Sequence, residues 1–414
     1  MPKISKKIEY FINPSRLIYL LELYKITRKD LVELLNLNKK NELRKSGLVD
    51  QKWINNVLDK KEKVSLLMLK RIDNIFNTGL SWLVSARALP PKNGSVFFRK
   101  KTFNSELDFN CRKIIDHFEK LKIETQLMTK YINYKPKRML GVYSQDDNAV
   151  SVAKHISLNF FEKYRSLLEK NELKNPLCER DFLKNFMRTM EEFNIFVFER
   201  TETWNQKERL NIDGLFLNPN FILIKRNQKY FRREIFSLAH EFAHYLLNIE
   251  EIDNLKEEFS NSKLSKIEKW CNQFAFYFLL QDQVKNYENI TNKNNSEEDI
   301  NNIVAEIYAN THLSQRAIYT RLIIEEKISK AYYNKKVDEL NKHIEQKEKD
   351  ELLQKERNKA LGKEQRGSAP KPIESKLFTE LVKINYFEGN IAENKLREYL
   401  RIGAEKNIND VLYS

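Results

Sequence analysis

Apolar positions recur at helical spacing along most of this chain. In its first part they form the sets Leu17-Leu21-Tyr24, Leu31-Leu34-Leu35, Trp53-Ile54-Val57-Leu58 and Leu66-Leu69-Ile72-Ile75, which predict four or five short helices. The run 88–94, with two prolines and a glycine, collects helix breakers and reads as a linker. From about 95 to 329 the helical pattern is interrupted by three short β signals, at 195–198, 215–217 and 221–224, which predict a small sheet packed on helices. Residues 330–366 are dominated by Lys, Glu, Asn and Gln with Leu at intervals, the pattern of a solvated helix, and 367–372 breaks it. Helical spacing returns in Leu377-Leu381-Ile384 and Ile391-Leu396-Leu400. The expected fold is mainly α (α+β). It divides into a helical domain at 1–92, a larger domain with the small sheet at 95–329, a charged helical linker at 330–372 and a small C-terminal helical unit at 373–414.

A chain of 414 residues exceeds what one core usually supports, in keeping with that division. Its 41% hydrophobic and 32% charged residues, with nine Gly and nine Pro, suit a folded helical protein rather than a disordered one. Cys111, Cys178 and Cys271 are odd in number and have no paired short spacing, which excludes a disulfide framework and a four-thiolate zinc site. The longest apolar run, Phe274 to Leu280, is far below the roughly 20 residues that cross a bilayer. No secretory signal is visible, so the expected location is the cytoplasm. Charge is uneven: residues 1–101 hold 22 Lys and Arg against 9 Asp and Glu, an excess of +13, which leaves +2 for the other 313. Such an excess can face phosphates, although a solvated lysine-rich surface gives the same count.

The segment His240-Glu241-Phe242-Ala243-His244 carries the chemistry. Four residues apart on a helix, two histidines lie about 40° apart around the axis and about 6 Å along it, so both can reach one metal ion. Glu241 then sits beside any metal-bound water, the division of labour of an H-E-x-x-H peptidase. Phe231, Ile235, Leu238, Phe242, Leu246 and Leu247 supply the apolar faces of this helix. The alternative is a pair of ordinary buried histidines. A catalytic zinc needs a third protein ligand and one open position. The metzincin pattern would place a glycine and a third histidine at 247 and 250, but the chain has Leu247 and Glu250 there. The acidic candidates are Glu250, Glu251, Asp253, Glu257, Glu258 and Glu268. Glu268 stands apart because it opens a strongly apolar helix, with Asn272 and Ala275 on its side, and a carboxylate entering such a helix needs a partner. It can also be read as a simple helix N-terminal carboxylate.

The run 236–247 around the histidines, Glu268 four residues before Asn272, and the stretch 307–322 together resemble the ImmA/IrrE family of metallopeptidases over roughly residues 195–325. Trp270, Cys271 and Gln281 depart from the family's usual residues without removing a ligand. The resemblance implies a zincin-like domain with one zinc per chain, or another divalent transition metal, held by His240, His244 and Glu268, with Glu241 as catalytic base. It further implies endopeptidase action on a partner transcriptional repressor or antitoxin-like regulator, in mobile elements, stress responses or toxin–antitoxin pairs.

In the first block, Thr27 to Asp30 form a capping pattern before a short second helix, and Asp50 can cap a third. The third helix buries Trp53, Ile54, Val57 and Leu58 and would expose Gln51, Lys52, Asn55 and Asn56, residue types that contact bases or phosphates. The block resembles an XRE-like helix-turn-helix, which implies duplex DNA as a partner. It departs from that pattern in the extra stretch between Asn36 and Val49, which leaves a protein-docking or purely structural role open. A DNA-binding regulator whose metal site is structural or sensory is therefore the competing reading to a peptidase.

Overall fold

The computed structural model describes residues 9–37, 48–76, 78–87, 109–201, 212–226, 230–250, 265–291, 295–362, 372–403 and 405–413. The predicted linker at 88–94 and nearly all of the break at 367–372 lie outside them. The chain divides into two compact units, Met1–Leu121 and Lys122–Ser414.

In the first unit a short antiparallel ribbon, β1 (Glu9–Tyr10) with β2 (Val64–Ser65), accompanies the helices α1 (Pro14–Leu23), α2 (Arg28–Leu37), α3 (Gln51–Leu58), α4 (Leu66–Phe76) and α5 (Leu80–Val84). Helices α1, α2 and α3 each start on a side chain that satisfies an otherwise orphan backbone N–H. Asn13 accepts from the Ser15 N–H, and Asp50 accepts from the Trp53 N–H at 2.7 Å. Thr27 and Asp30 bond to each other's backbone as a capping box. The apolar sets converge on one core containing Leu17, Leu20, Leu31, Ile54, Ile72 and Leu83, while Leu66, counted with them from spacing, is exposed. The stretch that separates α2 from α3 has its ends tied together. The Asn36 side chain donates to the Val49 carbonyl at 2.8 Å and accepts from the Val49 N–H at 3.1 Å.

The division between units falls within α6 (Phe109–Tyr131). The second unit continues with α7 (Ala149–Glu169) and α8 (Glu179–Glu191). The predicted sheet follows as β3 (Phe196–Thr201), β4 (Gly214–Leu217) and β5 (Phe221–Arg226), in the order β3-β5-β4. β3 runs parallel to β5 with Phe196 opposite Phe221, and β4 runs antiparallel to β5 with Leu217 opposite Phe221. Residues 215–217 and 221–224 are buried without alternation, as expected of strands covered on both faces. α9 (Phe231–Leu247) and α10 (Lys266–Leu280) pack on each other, and α10 also packs on α7. Their crossing is fixed by rings: Phe242 lies 5.7 Å from Phe278 and 6.0 Å from Phe274, and Phe160 of α7 lies 5.3 Å from Phe278. Edge-to-face packing of this kind adds direction to the burial of large apolar area.

α11 (Val284–Glu288), α12 (Glu297–Asn310) and α13 (Gln315–Ile324) complete this layer, the last two joined by residues 311–314. The predicted charged helix is α14 (Lys330–Ala360), exposed along most of its length. α15 (Lys376–Phe387), α16 (Glu393–Tyr399) and α17 (Asn409–Leu412) form the C-terminal part and belong to the same compact unit as the sheet. Phe378 meets Phe198 of β3 at 5.4 Å, and the Ser375 hydroxyl donates to Glu191 at 2.6 Å. Burial lifts the Glu191 carboxyl above its usual range despite Arg188 beside it. Among the described residues no helix is long and apolar enough to cross a membrane.

Candidate metal centre

The site is built on α9 and the first turn of α10. Helix α9 ends at Asn248, which takes the left-handed conformation (φ 56°) that asparagine tolerates better than most residues. The helix thus stops one turn after His244. On α10, the Ser265 side chain caps the helix by accepting from the Glu268 N–H at 3.1 Å, which fixes Glu268 in the first turn. His240, Glu241, His244 and Glu268 are all buried.

The three expected ligands meet. His240 Nε2 lies 3.2 Å from His244 Nε2 and 3.1 Å from Glu268 Oε2, and His244 Nε2 lies 3.2 Å from Glu268 Oε1. Both Glu268 oxygens are buried without a well-directed hydrogen bond among the described residues, as is His244 Nδ1. Leaving such atoms unbonded in a dry interior costs on the order of several kcal/mol. A tetrahedral site with bonds of about 2.1 Å has donor–donor edges of about 3.4 Å, close to these separations. The arrangement therefore fits a divalent cation held by two imidazoles and a carboxylate. It is also the only His, Cys, Asp and Glu cluster of metal-binding geometry among the described residues. Burial alone would raise the Glu268 carboxyl, but the adjacent imidazoles hold it below the usual carboxylate range. Glu268 is thus both a first-turn carboxylate and a partner of the histidines, so its two sequence readings coincide.

His240 Nδ1 lies 3.1 Å from Asn272 Oδ1. With Nδ1–H donating to that amide, Nε2 keeps its lone pair toward His244 and Glu268, which selects the ligating tautomer. Of the other acidic candidates, Glu250 accepts from the Asn218 N–H at 2.8 Å and lies 3.9 Å from Lys122, while Glu251, Asp253, Glu257 and Glu258 lie outside the described residues. His312 is engaged elsewhere, 2.5 Å from Glu179 and stacked on Phe182 at 3.4 Å.

Sequence reasoning missed Gly214. A Cβ at this first position of β4 would meet Glu241 Cγ at 2.6 Å and Oε1 at 2.7 Å, so a larger residue fits there only if the Glu241 side chain moves. An isolated glycine in a strand signals such an approach, but the partner is visible only in three dimensions. Gly214→Ala is expected to displace Glu241 and to slow turnover by roughly 10- to 100-fold, as small misplacements of reacting groups do. Its metal content should stay unchanged, and normal turnover in that variant would show that Glu241 is not held by this contact.

The proposed DNA contacts are not equivalent. Gln51 and Lys52 are exposed, whereas Asn55 and Asn56 are half-buried and bonded within the unit. Asn55 accepts from Arg28 at 2.7 Å, and Asn56 donates to Glu62 at 3.5 Å.

Two histidines one helical turn apart, facing a carboxylate from the next helix beside a small mixed sheet, define the zincin-like class of metallopeptidase. Residues 190–318 match the Peptidase M78 family model, described as the IrrE N-terminal-like domain. This part of the chain is accordingly a metallopeptidase domain of the ImmA/IrrE kind, and the match spans the sheet, the helices of the site and the 311–314 connection. No curated protein and no solved structure gives a match.

Proposed function

We propose that this protein is a zinc-dependent endopeptidase that cleaves a partner transcriptional repressor or antitoxin-like regulator. One zinc per chain is held by His240, His244 and Glu268, and Glu241 is the general base. The observation that carries this reading is the convergence of the three ligand side chains, in a domain of a metallopeptidase family. When bound there, the metal supplies a water acidified toward a pKa of about 7 and a polarised peptide carbonyl. Glu241 would then serve as the base that takes a proton from the attacking water and as the acid that hands it to the leaving amine. The carboxylate is buried, so it works in a region of low dielectric, and Gly214 lets β4 lie against it without displacing it. The test is incubation of the purified protein with the repressor-like products of its neighbouring genes. Site-specific cleavage that stops on chelation supports the proposal, and an intact repressor in the presence of zinc counts against it.

The helical first unit is proposed to bind duplex DNA, with Gln51 and Lys52 on its exposed face. A specific observation favours this role, the +13 excess of residues 1–101. The expected affinity falls steeply with salt, and Lys52→Ala lowers the salt slope by about one counterion if the side chain meets a phosphate. If the full chain fails to retain duplex DNA even at low salt, the unit belongs to the protein-docking class. A regulator with a structural or sensory metal site is the second reading, and it predicts that chemistry at Glu241 is dispensable.

A further inference from the structure

β4 is the outer strand of the three-stranded sheet. Among the described residues it pairs with β5 alone, so pairing fixes one of its edges and leaves open how closely it sits on α9. That closeness matters at Gly214, whose backbone lies against the Glu241 side chain. Both ends of the strand are tied. At the far end, the Asn218 N–H donates to Glu250 at 2.8 Å and the Asn218 side chain donates to Asn248 Oδ1 at 2.7 Å, just beyond the C-terminus of α9. At the near end stands Asp213, immediately before Gly214.

Asp213 is gripped by two other elements. Arg233, in the first turn of α9, donates to Asp213 Oδ2 through Nε at 2.8 Å and through Nη2 at 2.6 Å. Lys225 of β5 places Nζ 3.4 Å from Asp213 Oδ1, and its backbone N–H donates to the Asp213 carbonyl at 2.8 Å. A single carboxylate thus joins the helix that carries Glu241 to the strand that pairs with β4. Arg233 precedes Glu241 by eight residues, about 12 Å along the same helix. A slip of β4 along or away from α9 stretches this ion pair as it moves Gly214 relative to Glu241.

We propose that Asp213 is a positioning residue for Glu241. By holding Arg233 and Lys225 it sets the distance between β4 and α9, and through Gly214 that distance sets the orientation of the Glu241 carboxylate. The inference rests on the reading of Glu241 as the general base. Glycine at 214 makes the anchor necessary. With no side chain there, the strand constrains Glu241 only by where its backbone lies, and a side chain with several rotatable bonds takes whichever rotamer its surroundings leave. Stability is the lesser role of the pair. The Arg233 side chain is 54% exposed and that of Asp213 22%, and ion pairs open to solvent add little to folding. Their effect on geometry weighs more, because a misplacement of about 1 Å in a reacting group can cost on the order of 100-fold in rate.

The test is the visible ligand-field band of the full chain loaded with cobalt(II), a signal that follows the surroundings of the ion, supporting groups included. Glu241→Gln calibrates it, since that change keeps all three ligands and alters only the group beside them. Asp213→Asn removes the charge and hardly any volume. It is expected to shift the band in the same direction as Glu241→Gln, with native cobalt content and a Tm within about 3 °C of native. Arg233→Ala, a change at a largely exposed side chain, should shift the band likewise, and Arg233→Lys, which keeps a cation, should fall between Arg233→Ala and native. A native band in Asp213→Asn beside a shifted one in Glu241→Gln overturns the proposal and leaves the metal site standing. Loss of cobalt or a much lower Tm in Asp213→Asn also overturns it, because the residue is then structural. If the native protein takes up no cobalt, or if Glu241→Gln leaves the band unmoved, the reading of the site fails and the proposal falls with it.

Discussion

Glu241→Gln is expected to keep its fold and its full metal content and to cleave a protein substrate at least roughly 100-fold more slowly, the contribution of a positioned general base. Glutamine preserves the length and planarity of the side chain, so its packing against Gly214 remains possible. What it loses is the ability to accept a proton. Cleavage rate and metal content must be measured on the same preparation. Cleavage at the native rate would remove Glu241 from the chemistry.

The second large effect belongs to the ligands. His244→Ala removes one of three donors from a buried site, and metal affinity should fall well beyond the roughly 10- to 100-fold that loss of a supporting hydrogen bond costs. Asn272→Ala supplies that comparison in the same protein, since Asn272 lies at hydrogen-bond distance from His240 Nδ1 without taking part in the ligand cluster. The expected order of metal content after dialysis is native, then Asn272→Ala, then His244→Ala with none. Glu268→Ala should resemble His244→Ala. Unchanged metal in either ligand variant, with native circular dichroism, would mean that the ion sits elsewhere.

The histidine pair was legible in the sequence because a four-residue spacing on a helix has one geometric outcome. Glu268 was legible for a different reason, a carboxylate opening a helix otherwise made of Trp, Phe, Tyr and Leu. The caps at Thr27 and Asp50 and the three strands were equally readable, because their signals are local. Features joining distant segments were not. Gly214 and Glu241 are 27 positions apart, and nothing local to either marks their approach. Glu191 and Glu199 look like ordinary solvated carboxylates in sequence. Glu199 is instead buried, paired with Arg180 at 2.7 Å and bonded by the Ile373 N–H, so the C-terminal part packs on the same unit as the catalytic sheet. Exposure of Leu66 had no local signal either, since spacing alone does not say which end of a helix meets the core.

The bond pair between Asn36 and Val49 gives the inserted stretch a particular character. A chain whose two ends are stapled at adjacent points transmits little of its length to what it joins, and the entropy of closing it grows only slowly with residue number. Helices α2 and α3 can therefore keep their mutual placement while the intervening segment is lengthened, shortened or exchanged. Asn36 and Val49 are therefore the points at which a change in the length of the intervening sequence would be absorbed before it reached the helical core.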